Sequence, residues 1–268
     1  MSSVHQPGVW VYNENNELKA WGLGAEGKTI EYDLNGSTVR EQAGATRQYV
    51  YDAQDRMVEV KDNSLTVAKY AYDPMGRRIW RQTFGAGAGA GVTWFLYSTE
   101  GLIQELASET GTIRTYGWRP VGMWGTDTIW QKDGNGIFLT SNDNLYTTDF
   151  LTKANDGVVA WNSLRESFGK TIIRPNAGTE YLMRFPGQWE DGVGFAQNYL
   201  REYSTAGYFY RQDPAYLIDG PNLYLYARAA PTKFMDPLGL ASTGSVCAGT
   251  PKTAPSGSNC QEYALDRY

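Results

Sequence analysis

Cysteine, histidine and long apolar runs are all scarce in these 268 residues, and each shortage removes a class of explanation. Cys247 and Cys260 are the only cysteines and both lie near the end of the chain, so no disulfide framework is spread through the body. The pair is left with two options, a short bridged loop or two free thiols. The single histidine, His5, stands far from both cysteines, so no Cys/His metal spacing exists and no cofactor is expected. No stretch of about 18 apolar residues is available to cross a membrane. The N-terminus lacks the basic-then-apolar pattern of a signal peptide, so an export signal is expected elsewhere or on a carrier. A basic excess is missing too: Lys+Arg 24 against Asp+Glu 29 gives a net charge of −5, which argues against a dedicated nucleic-acid binder.

What the chain does have is 19 Tyr, 9 Trp and 30 Gly, a composition of strand formers and turn formers. The fold class read from it is all-β. Glu31-Tyr32-Asp33-Leu34-Asn35-Gly36 recurs as Val50-Tyr51-Asp52-Ala53-Gln54-Asp55 and as Ala71-Tyr72-Asp73-Pro74-Met75-Gly76. Successive Tyr-Asp pairs are roughly twenty residues apart, which is the length of two short strands and two turns. Tyr is expected to pack on a neighbouring unit, and Asp to hold its turn through backbone N–H groups. A Gly/Ala run from Gly85 to Gly91 reads as a flexible connection, because it neither opens a helix nor carries a Lys. Further hairpins are expected at 127–139 and 144–161, and a short helix around 163–168.

From Tyr181 the pattern changes. Arg184-Phe185-Pro186-Gly187-Gln188-Trp189-Glu190-Asp191 leads through Phe195-Ala196-Gln197-Asn198-Tyr199 to Leu200-Arg201-Glu202-Tyr203, and then to two Asp-Pro dipeptides, Asp213-Pro214 and Asp236-Pro237. The second sits in Phe234-Met235-Asp236-Pro237-Leu238-Gly239-Leu240, after which Ser, Thr, Gly, Ala and Pro dominate. Together with the Tyr-Asp units, these motifs resemble the RHS/YD-repeat family over roughly residues 10–240. The resemblance implies an antiparallel sheet of short hairpins, curved like part of a barrel or shell wall, with a C-terminal core module as its plug. The expected division is a repeat region at 1–180, a core module at 181–240 and a flexible variable tail at 241–268.

Two carboxylates brought together can share one proton, so that one activates water while the other polarises or protonates the scissile carbonyl. By resemblance Asp213 and Asp236 act as a self-directed aspartyl protease that cuts the Leu240–Ala241 bond, with Arg211 as the nearby arginine. Read without the family, Asp-Pro simply begins a turn. Asp219 and Asp191 are further acids, both read as turn residues. The family pattern places Gly where this chain has Tyr216, and a Tyr there is expected to add bulk and re-aim the loop of Asp213.

The tail of 28 residues after Leu240 is too short to fold alone, and no toxin activity is recognisable in it. The implied function is a C-terminal shell fragment that caps a toxin-encapsulating β-shell and frees its cargo by self-cleavage. Its partners would be the upstream shell, the cargo, a secretion-system carrier and an immunity protein, with delivery to the cell exterior or a target cell. Two alternatives stand beside it. One is a carbohydrate- or protein-binding β-module, which requires Trp94, Trp118, Trp124, Trp130 and Trp161 to share an exposed face. The other is an inactive displaced cassette that carries no toxin.

Overall fold

The computed structural model describes residues 9–22, 27–85, 90–107, 111–175 and 178–244. The tail with Cys247 and Cys260, and most of the Gly/Ala run, lie outside these residues. Sixteen strands, β1 (Val11–Tyr12) to β16 (Thr171–Ile173), form one antiparallel sheet in which each strand pairs with its neighbours in the sequence. A second sheet of four strands follows, β17 (Gln188–Glu190), β18 (Ala196–Asn198), β19 (Arg201–Ser204) and β20 (Tyr208–Phe209). Last comes a two-stranded ribbon, β21 (Phe234–Met235) with β22 (Thr243–Gly244). No α-helix occurs among the described residues, and none is long and apolar enough to cross a membrane. The expected helix at 163–168 is not formed. Residues 163–165 end strand β15 (Val159–Arg165), where Ser163 pairs with Ile173, and the chain then turns at Glu166 to Gly169. A segment this short gains more from completing a sheet ladder than from one isolated helical turn.

The Tyr-Asp pair explains the repeat atom by atom. Asp73 Oδ1 accepts the backbone N–H groups of Met75 and Arg77, both at 2.9 Å, and closes the turn between two strands. Asp33 and Asp52 do the same to the residues two and four positions on. Asp143 and Asn13 follow suit, so the repeat extends beyond the three pairs visible in the sequence. The preceding tyrosine reaches backwards: the hydroxyls of Tyr32, Tyr51 and Tyr72 donate to the carbonyls of Leu18, Thr38 and Met57 in the unit before. Tyr97 does so to Arg78, although Ser98 stands where Asp would be. Each unit is therefore fastened to its predecessor by one hydroxyl and closed on itself by one carboxylate. Asp73→Ala strands two turn N–H groups and a carboxylate–Arg77 contact at 2.7 Å, and should lower unfolding free energy by about 1–2 kcal/mol in urea titrations. A loss below about 0.3 kcal/mol would show that water replaces the side chain without cost.

The core lies between the large sheet and the C-terminal module. Leu18, Trp21 and Ile30 near the first edge pack with Tyr208. Tyr49, Met57, Val60, Ala68 and Tyr70 in the middle pack with Val193, Phe195 and Tyr210. Phe95, Tyr116, Phe138, Leu151 and Trp161 toward the far edge pack with Tyr181 and Trp189. A flat sheet of this many strands would be roughly 70 Å wide at ~4.8 Å per strand. A sixty-residue module is only about 30 Å across. Both sides of the sheet can reach one small module only if the sheet curls around it, as its twist favours. The sheet does not close into a barrel.

Charged side chains also point inward, each met by the module. Glu41 accepts from Tyr49 at 2.8 Å and Tyr208 at 3.0 Å, with Lys28 at 2.7 Å. Glu105 accepts from Arg114 at 2.8 Å and from the Trp189 indole at 2.9 Å. Arg78, wholly buried, lies 3.3 Å from Glu202 and 3.6 Å from Asp191, with its guanidinium 3.7 Å from the Tyr70 ring centre. Burying a charge is tolerable when it is paired, and these pairs fix which strand meets which part of the module.

The five tryptophans of the binding-module alternative do not share an exposed face. Trp161 is buried in the core and Trp118 packs against the same cluster. Trp124 stacks on Tyr97 at 5.6 Å and meets Tyr199 at 4.8 Å, Trp130 is half-buried, and only Trp94 is well exposed.

Candidate functional site

Strand β19 and the two Asp-Pro loops converge inside the C-terminal module. Arg201 begins β19 and is 1% exposed at its side chain. Its Nη2 donates to Asp213 Oδ2 at 2.8 Å and to Asp236 Oδ2 at 3.2 Å, so one nitrogen joins the two carboxylates. The other two nitrogens donate as well: Nε to the Gly239 carbonyl at 2.6 Å and Nη1 to the Leu223 carbonyl at 3.1 Å. The guanidinium lies 3.5 Å from the centre of the Phe209 ring. A planar fork with five donors suits this arrangement in a way that a lysine ammonium does not.

Arg211, the arginine expected beside Asp213, is directed elsewhere. Its Nη2 donates to the Leu200 carbonyl, one residue before Arg201. Arg201 lies twelve residues before Asp213 and was not legible as a partner. Its neighbours Glu202 and Tyr203 are equally buried, so neither charge nor hydropathy marks it out.

Asp213 is held by its own turn, with Oδ1 accepting from Ala215 N at 2.8 Å. Tyr216, which follows, has φ +55° and is 70% exposed. It adopts the left-handed backbone that glycine would take and sends its ring into solvent. The bulk anticipated at this position is therefore turned away from the site, and the remaining cost is backbone strain.

Asp236 faces the chain that follows it. Its Oδ1 accepts from Leu240 N at 2.9 Å and from Ala241 N at 3.2 Å. The second of these is the nitrogen of the Leu240–Ala241 bond. Asn198, fully buried, donates its side-chain amide to the Asp236 carbonyl at 2.9 Å and fixes the loop from behind. Gly239 has φ +66° and a Cβ there would meet the Asn198 carbonyl at 2.8 Å. Gly187 has φ +80° and a Cβ on it would run into the Pro237 carbonyl. Two glycines in two different segments thus let the Asp-Pro-Leu-Gly turn pack closely against the end of the small sheet where β17 begins and β18 passes into β19. Met235 to Leu240 are all buried as a result.

Burial governs the electrostatics. Loss of hydration raises the Asp213 carboxyl from 3.8 to about 7, against the pull of Arg201. The same cause raises Asp236, opposed by Arg201 and by the N–H groups of Leu240 and Ala241. Arg201 is itself pushed down by burial. The two acids share a cation and repel one another when both are ionised, so they titrate as a unit. A raised carboxyl holds its proton in the folded state at pH values where the unfolded chain has lost it. Its stabilising contribution is complete below about 3.8 and is lost as pH rises through about 7. Asp191 and Glu202, also raised by burial, act in the same direction. Urea unfolding free energy should therefore fall between pH 4 and pH 8, and Asp213→Asn should flatten that fall. An equal slope in the variant would show that Asp213 does not titrate in this window.

Asp219 and Asp191 also have definite places. Asp191 Oδ1 closes a turn with Val193 N at 2.9 Å, while Oδ2 accepts from Tyr70 at 2.6 Å. Asp219 instead approaches the segment just beyond Ala241. Among the described residues, no group of three or more His, Cys, Asp or Glu side chains is arranged to hold a metal ion.

Searches against protein-family models gave no match. Among curated proteins the chain is similar to double-stranded DNA deaminase toxin A of Burkholderia cenocepacia (strain H111), at 30% identity over 264 residues, which is 87% of this chain and 18% of that protein. Among solved structures it superposes on TcdB2-TccC3 with a TM-score of 0.56 at 16% identity, over 88% of this chain and 16% of that one. The Photorhabdus luminescens Tc holotoxin pore gives a TM-score of 0.56 at 15% identity over 95% of this chain and 16% of the other. The likeness to these structures is one of fold. The chain spans less than a fifth of the length of each of these three proteins, and its all-β fold is that of one segment of the two solved structures.

Proposed function

We propose that this chain is the C-terminal part of an RHS/YD-repeat shell whose core module cuts the Leu240–Ala241 bond. One observation carries the reading: the carboxylates of Asp213 and Asp236 meet on a single Arg201 nitrogen, and the free oxygen of Asp236 contacts the amide nitrogen of that bond. Peptide hydrolysis by two acids needs one neutral and one ionised carboxyl. With a value of about 7, Asp213 is the mostly neutral partner below that pH. Burial raises Asp236 too, and Arg201 with the N–H groups of Leu240 and Ala241 opposes that rise in favour of its ionised form.

In the cleavage step Asp236 takes a proton from a water whose oxygen adds to the Leu240 carbonyl carbon. Asp213 gives its proton toward the carbonyl oxygen. As the resulting diol collapses, Asp236 passes its proton to the Ala241 nitrogen, the C–N bond breaks, and one diol hydroxyl returns its proton to Asp213, leaving Leu240 with a carboxyl group. The products are a fragment ending at Leu240 and one beginning at Ala241.

The wider role belongs to the same proposal. The wall strands would continue those of an upstream shell, with β1 as the edge at which they add. The module would plug that shell, and whatever follows Ala241 would be its cargo. Similarity to a named toxin and to toxin assemblies supports delivery outside the producing cell, through a carrier, with an immunity protein as a further partner. Intact-mass measurement of freshly purified protein tests the central claim. Two masses dividing the chain between Leu240 and Ala241 are expected. A single full-length mass that persists for days at pH 5 to 8 would favour the inactive-cassette reading.

A further inference from the structure

Resting on the self-cleavage reading, we infer that Asp219 is a positioning residue that clamps the product side of the scissile bond and retains the fragment beginning at Ala241. Asp219 ends the short turn of Tyr216 to Asp219 that directly follows the first Asp-Pro loop. Its Oδ2 accepts from Ser242 N at 2.5 Å and also from the Ser242 hydroxyl. Its Oδ1 is held by Arg228, with Nε at 3.2 Å and Nη2 at 3.1 Å. Immediately downstream, Thr243 and Gly244 pair with Met235 and Phe234, which directly precede Asp236.

The scissile bond is thus gripped on both sides. Asp236 holds the N–H groups of Leu240 and Ala241, Asp219 holds the next residue, and the ribbon holds the two after that. Five successive fixed residues, Leu240 to Gly244, would define the register in which the Leu240 carbonyl is presented to the acids. A displacement of about 1 Å at a reacting centre costs on the order of a hundredfold in rate. None of these downstream contacts depends on the Leu240–Ala241 bond being intact, so they persist once it is cut. The new α-ammonium of Ala241 would face Asp236, adding a charge-assisted bond. A residue that reads as a plain turn former therefore joins the half of the molecule before the cut to the half after it. Its charge also adds to that of Asp236 in raising Asp213, opposed by Arg201.

The test uses the full chain in six forms: wild type, Asp219→Ala and Asp219→Asn, and the same three with Asp213→Asn added. Amide hydrogen exchange of residues 241–244 is read in the Asp213→Asn background, where the chain stays whole. Adding Asp219→Ala should speed exchange there by about tenfold while leaving the β17–β20 amides unchanged. In the otherwise wild-type chain, Asp219→Ala should slow cleavage by about tenfold, and the two fragments should separate in native mass spectrometry. Asp219→Asn keeps an acceptor for Ser242 and should restore most of both effects, while the missing charge moves the pH–rate profile to lower pH. Unchanged exchange and unchanged cleavage in Asp219→Ala would overturn the clamp. Uniformly faster exchange through the module would also overturn it, because Asp219 would then be supporting the fold alone. Should no form cleave while the exchange contrast stands, the self-cleavage reading falls and the clamp is upheld.

Discussion

Asp236→Asn should leave the chain at full mass under conditions where the parent protein divides after Leu240, slowing cleavage by about 10²–10⁴-fold. The substitution is nearly isosteric and its amide oxygen can still accept from Leu240 and Ala241 if it takes the Oδ1 position. What it removes is the ability to accept a proton from water. Asp213→Asn should be as severe for the opposite reason, because its amide cannot supply the proton that a neutral carboxyl gives. The double variant should be scarcely slower than either single one, as expected when two groups form one machine. Tyr216→Gly serves as the counterpart. It relieves a left-handed tyrosine at φ +55° and should stabilise the protein by up to about 1 kcal/mol without slowing the reaction. Cleavage at a parental rate in either Asn variant, followed by mass over time, would remove the dyad from the mechanism.

Arg201→Met should destabilise the fold by about 3–5 kcal/mol, a larger loss than any other single substitution in the module should cause. Two buried carboxyls lose their common cation, and the carbonyls of Gly239 and Leu223 lose donors. Part of the loss is recoverable, since both acids can take up protons when the cation is gone. Stability of the variant should therefore improve as the pH is lowered toward 5. Arg201→Lys keeps the charge but cannot make four hydrogen bonds and lie flat on Phe209, so it should recover less than half of the loss. Urea unfolding at pH 5 and pH 7.5 separates these components. A methionine variant within about 1 kcal/mol of the parent at pH 7.5 would mean that water or a neighbouring group already compensates the acids.

Very different amounts of sequence information stand behind these residues. Asp213 and Asp236 could be read as a pair because each stands in an Asp-Pro dipeptide whose surroundings resemble a known family. Arg201 and Asp219 carry no such mark. Arg211 stands nearer to Asp213 in the chain than Arg201 does, yet it is directed to the Leu200 carbonyl. Asp219 lies in an Asp-Gly pair that reads as an ordinary turn.

Hairpins, turns and the all-β class were legible because they are local. A carboxylate that bonds the N–H groups two and four residues on needs only its own segment, so Asp33, Asp52 and Asp73 repeat visibly along the chain. The roughly twenty-residue period carries through to strand order, since each strand simply pairs with the next. Curvature, the inward turn of most tryptophans, and the strand at 163–165 were decided elsewhere. Curvature and the tryptophan packing depend on the C-terminal strands occupying one face of the wall, whereas 163–165 became strand because 171–173 pairs beside it. The bridge from Arg201 to Asp213 and Asp236, and that from Asp219 to Ser242, join residues 12, 35 and 23 positions apart. Such spacings have no periodic counterpart in the sequence. They exist because burial leaves each charge only the partners that the folded chain brings within reach.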